Sequence, residues 1–325
     1  MPAFDKIVVV TQKTALEELL ERYNTRDQAK FYVEHMGVPF DGYQDAHDAY
    51  TAAAADLHMA LPRGARHQFI ERGYLPNFLF GPRDLVVTLG RDGLVVNTAK
   101  YLKGQPLLGL NPDPARVDGV LLPFGVPEAH DLLPAILAGK YQVAAVTMAQ
   151  VSLNTGQTLY AVNDIFIGQR THTSARYRLA YRGGEEDQSS SGIIVSTGAG
   201  STGWFRSILA GAAGVTEGFV SGSGATTRLR TAYRFRWDAA ELRFCVREPF
   251  ASKTSAAGIV FGRIDRGEEL MITSQMPRNG VVFSDGIEAD GLEFTSGGVL
   301  RVGIADHALR LITAAGEPRR RARGR

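Results

Sequence analysis

Apolar residues in the first half of the chain fall into short continuous runs and into helix-like spacings. Residues 6–10 (KIVVV) and 85–89 (LVVTL) are apolar runs of the length of buried strands. Residues 13–35 place leucines and a tyrosine at helical spacing, and residues 46–61 are rich in alanine. The pattern predicts two strands and two helices in these stretches.

One segment combines the two patterns in a fixed order. The strand at 85–89 is followed by the turn GRDG (90–93), a predicted helix at 94–102 and a predicted strand at 106–110. Strand, glycine turn, helix and strand within so short a stretch form a βαβ unit. This unit predicts a parallel sheet.

Beyond about residue 135 the pattern changes to short alternating or β-branched runs separated by Gly, Asp and Ser, as in an antiparallel sandwich. The predicted strands are 142–148, 158–167, 176–181, 193–196, 233–246, 269–273, 281–283 and 299–302. The glycine-rich segment 211–224 is predicted to be a long loop. The fold class expected is therefore α/β plus β, an α/β half followed by a mostly β half.

Composition agrees with a two-domain soluble protein. The chain has 325 residues, which is longer than a single hydrophobic core usually accommodates. Of these residues 44% are hydrophobic and 22% are charged, as is usual for a soluble globular protein. We expect no transmembrane segment and no secretory signal. The single cysteine, Cys245, excludes an internal disulfide and a thiolate metal cluster, and we expect a cytoplasmic protein.

The formal charge of +2 comes from the end of the chain. Five arginines lie within the last seven residues (RRRARGR), and without them the formal charge is −3. Such a tail can touch nucleic acid or anionic lipid, but a solvated, disordered end is the expectation. Neither a membrane nor a nucleic-acid partner is therefore expected.

The GRDG turn has the placement of an anion site. The first amides of a helix after a strand point outward and attract phosphate. A carboxylate repels phosphate, so Asp92 either binds a substrate hydroxyl and takes its proton, or caps its own helix.

Residues 192–207 (GIIVSTGAGSTGWFRS) allow two nucleotide-binding interpretations. Gly198, Gly200 and Gly203 form G-x-G-x-x-G, the dinucleotide fingerprint of dehydrogenases. Alternatively, STGAGSTGW is a clamp of small residues that grips a nucleotide substrate. The fingerprint should open a βαβ unit of about 30 residues, which does not follow here, so the dehydrogenase interpretation is disfavoured.

A polar pair, Asn163–Asp164, interrupts an apolar strand pattern. The pair could bind a ribose diol or an adenine edge, or it could form an ordinary turn. The sequence has no Walker A, G-x-S-x-G or H-E-x-x-H motif, so serine hydrolysis and zinc catalysis have no support.

Taken in order, these motifs resemble the NAD kinase family. GRDG, ND before IFI, SARYRL, GIIVSTGAGSTGW and the late Asp285–Gly286 occur in the family's sequence order over residues 84–312. The resemblance implies a Rossmann-like N-terminal domain with a C-terminal β-sandwich, the last strand (309–312) returning to the first domain. It implies domains at 1–135 and 136–303, a returning segment at 304–316, and the tail at 317–325.

The resemblance also implies roles for single residues. Asp92 matches the catalytic aspartate that activates the 2′-hydroxyl of the adenosine ribose. Gly90, Arg91 and Gly93 match the phosphate loop. The residues matching NAD-binding positions are Gly93, Asn97, Asn163, Asp164, Arg176, Thr202, Gly203, Trp204 and Ser207.

Several positions depart from the family pattern of GGDG, NE and TPTGSTAY. Arg91 replaces a glycine, Asp164 a glutamate and Trp204 a tyrosine, while Gly198–Ala199 replaces Pro-Thr. Ser191 stands where the family carries an aspartate facing the nicotinamide half. These departures indicate a divergent branch.

The function implied is phosphorylation of NAD to NADP, with ATP or polyphosphate as donor and Mg²⁺ bound to the donor rather than to a protein metal site. A homo-oligomer, dimer or tetramer, is expected with it. Two alternatives remain: a non-catalytic dinucleotide-binding sensor, suggested by Arg91 and Ser191, and a lipid kinase of the diacylglycerol kinase superfamily. The second alternative does not account for STGAGSTGW or Asn163–Asp164.

Overall fold

The computed structural model describes residues 4–220 and 224–314, which form two compact units. Unit 1 contains the described residues up to 144 together with 310–314. Unit 2 contains the described residues between 145 and 309. The arginine tail lies outside the described residues.

Unit 1 contains five helices and five strands in the described part of the chain. The strands are β1 (Lys6–Thr11), β2 (His67–Glu71), β3 (Asp84–Leu89), β4 (Pro106–Asn111) and β5 (Phe124–Gly125). The helices are α1 (Ala15–Tyr23), α2 (Arg26–His35), α3 (Asp41–Ala60), α4 (Asp92–Ala99) and α5 (Ala129–Leu137), with a 3-10 turn at Arg72–Asn77.

The sheet of unit 1 is parallel, in the order β2-β1-β3-β4, with β5 beside β4. Strand β3 is buried at all six positions, as a central parallel strand must be. The pairing of β3 with β4 around α4 confirms the predicted βαβ unit.

The predicted helix over 13–35 is wrong in one respect, because the structure has two helices there. Asn24 adopts a positive φ of 62°, which ends α1, and the Thr25 side chain accepts a hydrogen bond from Gln28 N at the start of α2. The alanine-rich helix α3 begins at Asp41, five residues before the predicted start.

Unit 2 is mostly β. Its strands are β6 (Gln142–Leu153), β7 (Thr158–Ala161), β8 (Asp164–Gln169), β9 (Ala175–Tyr181), β10 (Gly184–Ser190), β11 (Ile193–Ser196), β12 (Glu241–Val246), β13 (Phe261–Asp265), β14 (Leu270–Ser274), β15 (Gly280–Ser284), β16 (Ile287–Glu293) and β17 (Val299–Thr313). Its helical elements are a 3-10 turn (Gly200–Thr202), α6 (Trp204–Phe219) and α7 (Gly224–Thr231).

The strands of unit 2 form the predicted sandwich. One antiparallel sheet has the order β13-β12-β11-β8-β15-β16, and the other includes β10-β9-β14-β17. Ile165 and Val195 from the first sheet share one apolar core with Tyr177, Ile272 and Leu300 from the second. The alternation of buried and exposed residues along β9 follows from this two-layer packing.

The last strand confirms the predicted return to the N-terminal unit. Near its start β17 pairs with β14, Leu270 opposite Val302. Near its end it pairs in parallel with β4, Arg310 opposite Pro106, and Ile312 lies in the core of unit 1.

Three predictions for unit 2 are wrong, and the first is the loop. The predicted loop at 211–224 is helical up to Phe219, because Phe205, Leu209 and Ala213 form a buried apolar face on α6. A Cβ on the glycines of α6 would meet no neighbour, so they do not oppose the helix sterically. Residues 221–223 lie outside the described residues.

The predicted strand at 233–246 begins only at Glu241. A turn closed by Ala239 N and Arg236 O precedes it. Within the described ranges, no helix combines the length and apolarity needed to cross a membrane.

Candidate functional site

The GRDG turn of unit 1 joins the buried strand β3 to α4. Gly90 N donates to Leu110 O at 3.3 Å. A Cβ at Gly90 would lie 2.9 Å from Leu94 Cδ2 and 3.2 Å from Gln12 Cδ, so a larger residue there would have to displace these two side chains. Arg91 is exposed at the N-cap position of α4 and makes no capping hydrogen bond through its side chain.

Asp92 is half-buried, and its carboxylate binds the backbone of a neighbouring loop. Oδ2 accepts from Val120 N at 3.0 Å and Oδ1 accepts from Leu121 N at 2.8 Å. Asp92 is the first helical residue and does not cap its own helix. Because a carboxylate has about four acceptor positions, these two bonds leave acceptor capacity for a substrate hydroxyl.

Gly93 and Asn97 occupy opposite environments on α4. Gly93 is exposed, and a Cβ there would have no heavy atom within 4 Å, so its backbone is open to an approaching ligand. Asn97 is 5% exposed, and its Oδ1 has no hydrogen-bond partner among the described residues. A buried acceptor of this kind costs about 1–3 kcal/mol unless a donor reaches it.

Tyr50 fixes the end of β3 from helix α3. Its hydroxyl donates to Leu89 O at 3.2 Å and accepts from Gln12 N at 3.1 Å. Burial raises the pKa of the Tyr50 hydroxyl, which therefore keeps its proton for the bond to Leu89. Sequence reasoning missed this residue, because one tyrosine in an alanine-rich helix gives no signal of a contact 39 residues away.

The Asn163–Asp164 pair of unit 2 is held by Asp285. The Asp285 carboxylate accepts from Val162 N at 3.0 Å, Asn163 N at 2.7 Å and Asp164 N at 3.2 Å. Asp285 itself has a φ of 54° in the predicted Asp-Gly turn. These three bonds separate β7 from β8, so the single strand predicted at 158–167 is wrong.

The STGAGS loop packs directly against this pair. Thr197 N donates to Asn163 O at 2.9 Å, and the Thr197 hydroxyl donates to Val162 O. Gly200 N in turn donates to the Thr197 hydroxyl at 3.2 Å. The structure thus brings together residues 162–164, 197–200 and Asp285.

Two glycines of this loop are required by backbone packing. A Cβ at Gly200 would overlap the carbonyl of Asn163, and a Cβ at Gly198 would overlap the carbonyl of Arg236. The G-x-G spacing is explained by these contacts without a dehydrogenase cofactor. The loop leads into a 3-10 turn and α6, not into a βαβ unit.

The segment after the loop presents small exposed groups and one packed aromatic ring. Thr202, Gly203 and Ser207 are exposed. The half-buried Trp204 ring stacks on Phe166 with centroids 5.7 Å apart and an interplanar angle of 6°. Trp204 therefore anchors α6 to the outer face of the six-stranded sheet.

Arg176 and Ser191 lie away from Asn163 within unit 2. Arg176 is exposed near the start of β9, which follows β8 after a five-residue connection. It is thus near the opposite end of β8 from Asn163, about 20 Å along a strand of six residues. Arg247 Nη1 donates to Ser191 O at 3.4 Å, so a cation lies beside Ser191.

Burial gives Asp164 unusual electrostatics. The residue is 8% exposed. Desolvation and, secondarily, the nearby charge of Asp285 raise the pKa of Asp164 to about 7. Asp164 can therefore change its charge near neutral pH.

Among the described residues, no three His, Cys, Asp or Glu side chains are grouped to hold a metal ion. A surface cavity of about 560 Å³ lies elsewhere, on α1 and α2, lined in part by Tyr23, Phe31 and Tyr32.

Curated NAD kinases are similar to part of this chain, although no family model matches it. The Methylococcus capsulatus enzyme is 34% identical over 150 residues, covering 44% of this chain and 49% of that protein. The Geotalea daltonii enzyme is 29% identical over 136 residues, covering 37% and 44%. The Geobacter sulfurreducens enzyme is 27% identical over 155 residues, covering 43% and 51%. The chain spans about half the length of the curated relatives it matches.

Two solved structures share the fold over nearly the whole chain. Yeast NADH kinase complexed with NADH has a TM-score of 0.57 at 14% identity, covering 96% of this chain and 84% of that one. An NAD kinase from Archaeoglobus fulgidus in complex with ATP has a TM-score of 0.54 at 16% identity, covering 96% and 95%. The predicted resemblance to the NAD kinases and the predicted two-domain fold are confirmed.

Proposed function

We propose that this protein is an NAD kinase, which phosphorylates the 2′-hydroxyl of the adenosine ribose of NAD or NADH. The observation that carries the proposal is Asp92, a carboxylate held by two backbone amides beside the open backbone of Gly93. The ordered motifs on a shared fold support it further.

The donor in the proposal is ATP, with polyphosphate as the second possibility. The Archaeoglobus fulgidus relative is solved in complex with ATP, which supports this choice. Mg²⁺ would be carried by the donor phosphates. When bound, it would neutralise charge on the phosphoryl oxygens.

The residues of the GRDG turn have distinct proposed roles. The first amides of α4 and the exposed Arg91 guanidinium would hold donor phosphate. Asp92 would accept the proton of the 2′-hydroxyl. The hydroxyl oxygen would bond to the terminal phosphorus of ATP, and the bond between that phosphorus and the oxygen of the departing ADP would break. The buried Asn97 Oδ1, which has no partner among the described residues, would accept a hydrogen bond from a donor group of the ligand.

Dinucleotide binding is assigned to unit 2. Asn163 and Asp164, in the backbone frame made by Asp285 and Thr197, would bind ribose hydroxyls. Thr202, Gly203 and Ser207 would add exposed polar groups, with Trp204 fixing their position. Arg176, near the other end of β8, would contact the far end of the extended dinucleotide. The domain bounds 1–135 and 136–303 belong to the same proposal, as does a cytoplasmic homo-oligomer.

The test is incubation of the purified chain with NAD or NADH, ATP or polyphosphate, and Mg²⁺, followed by assay for NADP(H). Asp92→Asn should lower kcat about 10²–10⁴-fold, because the amide is not a base. The matched control is Asp118→Asn, an exposed carboxyl in the neighbouring loop, which should leave kcat unchanged. Melting curves of both variants show whether loss of the Val120–Leu121 tether has unfolded unit 1.

Two results would contradict the proposal. Calorimetric binding of NAD(H) without turnover of any donor indicates a sensor instead. Labelling of diacylglycerol but not of NAD(H) by radioactive ATP indicates a lipid kinase. Full activity of Asp92→Asn would remove Asp92 from the reaction while leaving the kinase assignment standing.

A further inference from the structure

Two carboxyl groups lie side by side at the start of β8, Asp164 on the strand and Asp285 in the turn between β15 and β16, and they differ in their hydrogen bonds. Asp285 N donates to Asp164 O at 2.9 Å, which places the two residues side by side. The Asp285 carboxylate accepts three backbone N–H groups. Asp164 is 8% exposed as a residue, and none of the described residues forms a hydrogen bond or an ion pair with its carboxyl group. Negative charge is therefore stabilised on Asp285, and a shared proton belongs on Asp164.

Among the residues that the structure describes, no cation forms an ion pair with Asp164. Ser196 lies opposite it on β11, and Arg243 lies opposite Ser196 on β12. Arg243 is already bound by Glu241 at 2.7 Å. Glu288, on β16 beyond β15, is exposed to solvent. Among these groups, Asp285 is the charge that acts on Asp164, and it raises the pKa in the same direction as burial.

The charge of Asp164 decides how a sugar binds there. An ionised carboxylate accepts hydrogen bonds from both hydroxyls of a vicinal diol, whereas a protonated carboxyl has already lost one acceptor position to its own proton. Hydroxyl donors therefore bind the ionised form more strongly, and charge-assisted bonds are about twice as strong as neutral ones.

We propose that a ribose of NAD(H) binds to ionised Asp164, so that binding expels the proton of Asp164 to solvent and affinity rises with pH. This inference rests on the proposed function, because it takes NAD(H) as the ligand of unit 2. It makes Asp164 the residue through which dinucleotide binding responds to pH.

The experiment is calorimetric titration of the whole chain with NADH, without phosphate donor, between pH 5.5 and 8.5. For one group with its pKa near 7, affinity should rise about tenfold between pH 6 and pH 8 and then level off. Asp164→Asn should bind with a flat pH profile. Glu288→Gln, the control in a nearby exposed carboxyl, should keep the wild-type profile.

A second measurement needs no variant. In two buffers with different heats of ionisation, wild-type binding at pH 6 should release about 0.9 protons per NADH. A flat wild-type profile, proton uptake, or an unchanged slope in Asp164→Asn would overturn the inference. Failure of NADH and NAD to bind at any pH would overturn the proposed function as well, which separates the two failures.

Discussion

Single glycines in the two candidate clusters are present for different physical reasons. Gly198 and Gly200 lie so close to neighbouring carbonyls that no side chain fits. Gly90 is restricted by the side chains of Leu94 and Gln12. Gly93 has open space where its Cβ would be, so the fold does not require a glycine there. Of these four positions, Gly93 is the one at which a ligand best explains the glycine.

Alanine at Gly93 should therefore stabilise the fold and impair function. Alanine is favoured over glycine in a helix by about 1 kcal/mol, and no described neighbour opposes it. The new methyl group would occupy the open side of the backbone, where the phosphate of ATP is proposed to bind. The affinity for ATP should therefore fall about tenfold or more. The measurements are KM for ATP and the unfolding free energy.

Gly211→Ala on α6 is the matched control. Gly211 is also helical, and a Cβ added there would have no heavy atom within 4 Å. It should show the gain in stability and normal kinetics. If Gly93→Ala behaved in the same way, the phosphate-loop role of Gly93 would be wrong.

At the scale of elements, β7 and β8 are separate strands because of a residue more than 120 positions later in the chain. Asp285 takes the N–H groups of residues 162–164, which removes them from a continuous ladder. Thr197 binds the carbonyls of Val162 and Asn163. The backbone of the candidate binding pair is thus fixed by two other segments.

Asp285→Asn should disorder this arrangement. An amide nitrogen would face at least one backbone N–H, leaving a buried donor unpaired at a cost of about 1–3 kcal/mol. Denaturant unfolding should show that loss, and NADH affinity should fall because Asn163 and Asp164 move. Glu288→Gln in the same hairpin should change neither quantity. Normal NADH affinity in Asp285→Asn would show that the frame does not position the ligand.

The sequence predicted those elements whose signal is local. The apolar runs of β1 and β3, the βαβ unit and most strand positions of the sandwich follow from nearest-neighbour patterns. The break at Asn24–Thr25 was missed because the apolar spacing continues across it. Helix α6 was missed because its glycines suggested a loop, while its buried face needs the sheet to be recognised. Tyr50 and Asp285 form hydrogen bonds with residues far away in the chain, so no local sequence pattern predicts these contacts.

On the scale of the whole chain, the final strand belongs to both units. Its early residues pair with β14 of the sandwich and its late residues pair with β4 of the parallel sheet. Ile312 is 1% exposed and completes the core around Leu85, Leu108 and Val87. The core of unit 1, and with it the strand that presents the GRDG turn, thus depends on residues near the end of the described chain.

Shortening Ile312 should therefore weaken the N-terminal unit. Ile312→Ala removes buried methyl groups and should cost about 2–5 kcal/mol, whereas Ile312→Val should cost about 0.5–1.5 kcal/mol. Hydrogen exchange followed by peptide mass analysis locates the effect. Peptides from β1, β3 and β4 should lose protection in proportion to the volume removed, and peptides from β8 and β11 should lose less. Equal loss in both sets would mean that Ile312 supports the sandwich as much as the parallel sheet, and the assignment of the strand's end to unit 1 would then fail.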